Sequence, residues 1–285
     1  MLAARDDYVR ATAALERSAR LRTAEPVDEE RLAAYMESGV LPWTDEERRM
    51  LEPLLPRLER FLSGLKWNRS KPILLIKVSD QLEDGLPHTR ANAVVLPEGV
   101  LRRWSAAGIA YAVAHEVFHV LSRDNPALRE QLYGSIGFRP CSKMEIPPPL
   151  ARLRLTNPDA PESRHAITVR FRGETVEALP FVHFPSGDID PRAGFKTQIR
   201  VSWLLVEREG DGCRARGGGA REERVAQEEL QGLDEQVGRN TRYLIHPEEI
   251  LADNFALLFL ATLRDTPPKV PSPEILDRMR RILAP

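Results

Sequence analysis

The sequence is short of most features that identify a protein class at sight. It has only two cysteines, Cys141 and Cys213, in 285 residues, so no disulfide framework can be read from it. The two can pair in an oxidising compartment, although isolated cysteines are more commonly free thiols, and the sequence leaves the pairing open. No apolar run approaches the roughly 20 residues that a membrane span needs. Residues 1–22 carry five arginines among acidic residues and lack an apolar core, so they do not read as a secretory signal. Charge of one sign is missing as well: 41 Lys and Arg against 42 Asp and Glu give a net charge of -1. That balance removes the electrostatic case for nucleic acid or an anionic membrane as partner. The chain is therefore expected to be a globular protein without a membrane span, with a lean towards the cytoplasm. Its oligomeric state is not legible.

The order of elements reads as α+β. Residues 1–66 are expected to form a helical N-terminal region. In it Thr44 and Glu47 make a capping box, and Pro53 and Pro56 interrupt the helix that follows. Strands are expected at 72–79 (PILLIKVS) and 91–96 (ANAVVL), with a polar loop at 81–88 between them. Ser105 can cap a helix reaching about Ser122, and Pro126 can start another. Residues 137–161 are proline-rich and irregular. Strands are expected at 166–171, 178–184 and 195–206, then a glycine-rich loop at 210–219 and a polar helix at 222–237. An apolar helix at 247–263 and a last helix opened by Ser272-Pro273 complete the chain. Residues 67–285 are thus expected to form one catalytic domain, with a β-rich insert at about 140–220 that can cover a cleft.

What is present is a buried polar group in an apolar helix. Residues 106–121 read AAGIAYAVAHEVFHVL, and apart from Tyr111 the strongly polar residues are His115, Glu116 and His119. A helix apolar nearly all round is buried. Polar and charged groups buried there need partners, and a bound cation can serve all three. Residues four apart share a helical face, about 6 Å apart, and two such imidazoles can bind one Zn²⁺ at about 2.0–2.1 Å. Glu116 is turned by about 100° from His115. It can reach a water in the metal's open position and act there as general base. This is the H-E-x-x-H pattern of metallopeptidases.

A catalytic zinc site takes three protein ligands, and residues 246–254 (HPEEILADN) offer a third. Pro247 suits the first helical position, which puts Glu248 and Glu249 in the first turn. Asp253 follows Glu249 by four residues, and the rest of that helix is apolar. Glutamates at helix starts also serve as caps, so Glu248, His246 and Asp253 remain alternative ligands.

His115-Glu116-x-x-His119 followed by Glu249-x-x-x-Asp253 resembles the gluzincin branch of the zincin metallopeptidases. The resemblance covers about 35–50 residues in two or three pieces. The stretch between His119 and Glu249 is longer than in thermolysin-like members, and the third histidine of metzincins is absent. The resemblance implies a zincin-like domain in which a small sheet packs on two metal-bearing helices. It implies His115, His119 and Glu249 as zinc ligands, Glu116 as base and Asp253 as the group that orients a ligand histidine. It also implies that the strand at 91–96 is the edge strand that pairs with an extended peptide substrate. Zincins add a donor for the oxyanion. Tyr243 and His246 are the candidates, and Tyr133 is a weaker one. His183 reads as structural, and His88 and His165 receive no role. Two other functions stay open: a non-catalytic zinc-binding protein on a zincin scaffold, and a zinc hydrolase of non-peptide substrates.

Overall fold

The structure is a computed structural model that describes every residue except Met1, Ala3, Asn68, 218–223 and 264–268. It is α+β, with helices packed against two mixed sheets. Among the described residues, no helix is long and apolar enough to cross a membrane.

Local chemistry sets the N-terminal elements. Thr44 accepts from the Glu47 amide at 3.2 Å and its own amide donates to the Glu47 carboxylate at 2.9 Å, opening the helix Asp45–Leu51. The chain breaks there, and Pro56 starts Leu55–Ser63, as the prolines require. Val40–Leu41 adds a short strand to the first sheet, whose order is Val40–Leu41, Leu74–Val78, Ala93–Pro97, His88–Arg90.

That order corrects one expectation. The strand Ala93–Pro97 is internal, parallel to Leu74–Val78 on one side and antiparallel to His88–Arg90 on the other. The expected loop at 81–88 ends one residue early. His88 starts a strand because a tight turn at Ala91, with φ +52°, folds residues 88–90 back on 93–95. The free edge of the sheet is therefore His88–Arg90, all three residues buried.

Behind this sheet lies the helix Ala106–Asp124, capped by Ser105 accepting from the Gly108 amide at 3.1 Å. A second helix, Pro247–Thr262, packs along it, with Phe118 and Phe255 ring centroids 5.5 Å apart. Val94, Leu96, Val113, Val117 and Phe259, each under 1% exposed, share this core. Burying such side chains contributes about 1.5–3 kcal/mol each, which holds the two helices in fixed register.

The second sheet comes from the middle of the chain. Its main path runs Leu230–Gln231, His165–Phe171, Glu174–His183, Arg200–Glu209, Gly212–Ala215, Met144–Glu145. Arg172 and Gly173, both at positive φ, make the hairpin turn between two of its long strands. Three expectations change here. Residues 195–197 form a single tight turn, and the strand starts at Arg200. Within the expected loop at 210–219 a turn leads into the strand Gly212–Ala215, and residues 218–219 lie outside the described residues. The helix expected over 222–237 shrinks to Asp234–Val237. Ahead of it Arg224–Val225 and Leu230–Gln231 pair with the sheet, because Val225 and Leu230 bury against the main core. Glu222, the expected start of that helix, lies outside the described residues.

Cys141 and Cys213 form a disulfide across 72 residues, inside a buried cluster with Leu179, Phe181 and Leu204. The pairing left open by the sequence is thus made: strand pairing brings residues 141 and 213 together, and sequence distance hides it. Disulfides persist where thiols are oxidised, so the lean towards the cytoplasm loses its support. Replacing both cysteines by alanine is expected to cost about 2–5 kcal/mol. Urea unfolding of the variant and the parent protein checks this, and coincident curves would contradict it.

Candidate metal centre

The two core helices bring four carboxylates and two imidazoles to one place. His115 and His119, one turn apart, have ring centroids 4.9 Å apart. Facing them are Glu248, Glu249 and Asp253, from the first two turns of Pro247–Thr262. Each imidazole is held at Nδ1 by an acid: His115 by Asp253 at 2.8 Å and His119 by Glu248 at 3.0 Å. Both Nε2 atoms then turn towards Glu249, whose Oε2 lies 3.0 Å from His115 Nε2 and 3.8 Å from His119 Nε2. A tetrahedral zinc ion with bonds of about 2.0–2.1 Å separates its ligand atoms by roughly 3.4 Å, and the two distances bracket that value. His119 Nε2 is buried with no hydrogen-bond partner among the described residues. An orphaned ring nitrogen between acids is the donor that a cation would satisfy. His115, Glu116 and His119 form one compact group of possible ligand atoms, and His119, Asp159 and Glu249 form another. The donor set could therefore hold a metal ion.

Charge follows this geometry. Burial alone would lower both histidines, but Asp253 and Glu249 hold His115 well above the ordinary imidazole range, and Asp159, Glu249 and Glu248 raise His119. Burial would raise Glu249, but His119, His115 and the Asn157 amide, 2.6 Å from Oε1, hold it low. Glu248 is held down by His119, Tyr133 and Ser122 against the same burial. Glu116 differs. Burial pushes it up to about 7, despite the nearby His115 and a hydrogen bond from the Thr89 hydroxyl at 2.8 Å. A carboxyl titrating near neutrality can both take and give a proton.

A cleft of about 570 Å³ opens over His115, Glu116 and Glu249. Its rim carries exposed apolar surface from Leu86, Trp104, Val201 and Tyr243. Tyr243, 43% exposed, thus stands at the cleft. His246 is occupied elsewhere. It caps the helix Pro247–Thr262, with Nδ1 accepting from the Glu248 amide at 3.1 Å and Nε2 donating to the Glu162 carbonyl at 3.2 Å. With both nitrogens engaged and its ring outside the cleft lining, it is not placed to donate to an oxyanion there. Tyr133 binds Glu248 behind His119. His183 bonds Ser202 in the second sheet, and His165 bonds Glu130.

Sequence reasoning passed over three members of this centre, Thr89, Asn157 and Asp159, and offered Glu248 only as an alternative ligand. Glu248 bonds the His119 ring instead, and its place in the same helical turn as Glu249 is the signal that could have assigned that contact. Thr89 lies in the strand His88–Arg90, between the expected loop at 81–88 and the expected strand at 91–96. Asn157 and Asp159 come from the irregular proline-rich stretch, which carries no periodicity to read.

His88, in the cleft wall, supplies a pH test. It is 1% exposed, its Nδ1 donates to the Leu86 carbonyl at 3.3 Å, and burial pushes it down to about 3. The unfolded chain protonates His88 near 6.5. A lowered folded value means that stability is full above about 6.5 and falls as pH drops towards 3. By pH 5 the loss is about 2 kcal/mol. His88→Gln should reduce the difference in unfolding free energy between pH 7 and pH 5 by about that amount, and an unchanged difference would refute the assignment.

Comparisons with protein-family models, with curated proteins and with solved structures found no match to this chain.

Proposed function

We propose that the protein is a zinc-dependent metallohydrolase of zincin type, acting on peptide bonds. The observation that carries this reading is the convergence of His115 Nε2, His119 Nε2 and Glu249 Oε2, each ring fixed from behind by an acid. Two histidines and one glutamate are a ligand set of catalytic zinc, which supplies Lewis-acid polarisation of a carbonyl and a more acidic water. Asp253 and Glu248 select the ring tautomers that leave Nε2 free for the ion. Thr89 holds the Glu116 carboxylate in place. Glu116 then takes a proton from the attacking water and hands it to the leaving amine. The Tyr243 hydroxyl is the donor available at the cleft for the developing oxyanion. The apolar rim favours an apolar side chain beside the scissile bond.

A second reading has one observation behind it. Asp159 lies beside His119 and Glu249, and a fourth protein ligand is the mark of a structural site. Against it, a purely structural site does not need Glu116 buried, tethered and tuned to about 7. A peptide-library screen on the zinc-loaded protein, with and without chelator, tests the proposal. Chelator-sensitive cleavage restored by zinc supports it, and zinc loading with no cleavage of any peptide favours the binding protein.

A further inference from the structure

The segment 156–161 runs beside the metal centre, touching Thr89 of the first sheet and Glu249. Asp159 is its focal residue. One of its carboxylate oxygens lies with His119 and Glu249 ligand atoms in a group spanning no more than 4.8 Å. His119 Nε2, in a side chain 1% exposed, has no hydrogen-bond partner among the described residues. Asp159 Oδ1 also accepts from the Thr89 amide at 2.6 Å. Thr89 belongs to the free edge of the first sheet, where an extended peptide would find its backbone partners. A single aspartate thus occupies both the edge amide and the side of the centre next to His119.

The segment is built to hold that pose. The Asp159 amide donates to Asn157 Oδ1 at 3.0 Å, closing a local turn, and Asn157 Nδ2 donates to Glu249 Oε1 at 2.6 Å. Arg123, from the motif helix, donates to the Asp159 carbonyl at 3.2 Å. Pro158 and Pro161 restrict the backbone on either side of Asp159. The N-terminal helices fasten its start. Glu16, fully buried, accepts from the Thr156 amide at 2.7 Å and from its hydroxyl at 2.9 Å. Arg20 donates to the Thr156 carbonyl at 2.8 Å.

Charge supports the same arrangement. Glu116, Glu249, Asp253 and Asp159 crowd one buried site, and like charges so close disfavour one another. Two neutral imidazoles with the carboxylates of Glu249 and Asp159 would just balance a divalent cation. Four protein donors close a zinc site, and withdrawal of one opens it.

We propose that segment 156–161 is a latch: Asp159 is a fourth, removable metal ligand, and the Glu16–Arg20 clamp on Thr156 keeps the metal centre closed until the segment moves. This rests on the metal-centre reading above and adds its regulation. The latched state binds metal but admits neither substrate nor water to the fourth position, so the parent protein turns over only during the roughly one-tenth of the time that the segment is released. Release vacates that position and the Thr89 amide together.

The test uses the full chain loaded with Co²⁺, whose visible absorption reports its ligands, and acetohydroxamate as the probe of an open position. For the parent protein, one Co²⁺ is taken up and hydroxamate leaves the spectrum little changed. Asp159→Asn retains an acceptor for the Thr89 amide but gives up the anionic ligand. It is expected to bind hydroxamate roughly tenfold or more tightly, the factor by which a site shut nine-tenths of the time weakens its ligand. The parent titration alone is informative if the variant folds poorly. Ready binding of hydroxamate by the parent, or equal affinities in the two proteins, overturns the latch while the metal centre stands. Failure of the parent to take up Co²⁺ overturns both.

Discussion

Glu116→Gln is expected to lower peptide hydrolysis by about 10²–10⁴-fold and to leave the bound metal unchanged. The size of the loss follows from removing proton transfer alone. Gln has nearly the same shape and can still accept the Thr89 hydroxyl bond at 2.8 Å. Glu116 is rotated by about 100° from His115 and its carboxylate is tied to Thr89, while the donor atoms of His115, His119 and Glu249 are all kept in the variant. It is 3% exposed, and burial holds its carboxyl at about 7, where both protonation states are accessible near neutral pH. Turnover and metal content should be measured on the same preparation. A variant with full turnover would remove Glu116 from the chemistry. A variant that loses its metal would mean that Glu116 supports the ligand cage instead.

Arg20→Ala carries the largest expected cost to stability, about 3–5 kcal/mol. Arg20 is 4% exposed and lies between two buried acids, Glu16 and Glu83. Its guanidinium also stacks over Phe195, 4.6 Å from the ring centroid, and donates to the Thr156 carbonyl. Tyr8 completes the cluster through a 2.7 Å bond to Glu83. Removing Arg20 takes the ion-pair partner from two buried carboxylates, which is why the loss exceeds that of an exposed ion pair. Glu83 and its neighbour Asp84 hold left-handed backbone, φ +48° and +50°, so the same network steadies a strained turn. Chemical denaturation of the parent and variant gives the difference, and a loss below about 1 kcal/mol would show that the cluster is not the tie between the N-terminal helices and the rest.

The parts of this account that were legible in the sequence are those with local causes. A capping box at Thr44, a cap at Ser105, proline at 247 and an apolar helix around three polar residues each act within a turn or two of chain. The facing of Asp253 and Glu249 towards His115 follows from a shared helical face, which is why spacing alone suggested it. What escaped depended on distant pairing. The Cys141–Cys213 bond, the burial of Val225 and Leu230 in the sheet and the edge position of His88–Arg90 exist only once strands have chosen partners. The latch escaped for another reason. Asn157 and Asp159 sit in proline-rich chain with no repeat, and their partners, Glu249 and Thr89, lie 92 and 70 residues away. His246 shows the converse. Its position before a glutamate helix suggested chemistry, while the structure uses both of its nitrogens as a cap and a backbone tie.

The central claim is that His115, His119 and Glu249 jointly hold one divalent metal ion. Zinc content after dialysis, measured for the parent chain and for Glu249→Ala, tests it most directly. The account predicts one tightly held zinc per parent chain, and a variant whose affinity falls by about 100-fold or more, since even residues behind the ligands are each worth 10–100-fold. Equal zinc content and affinity in the two proteins, or no zinc in the parent, would contradict it.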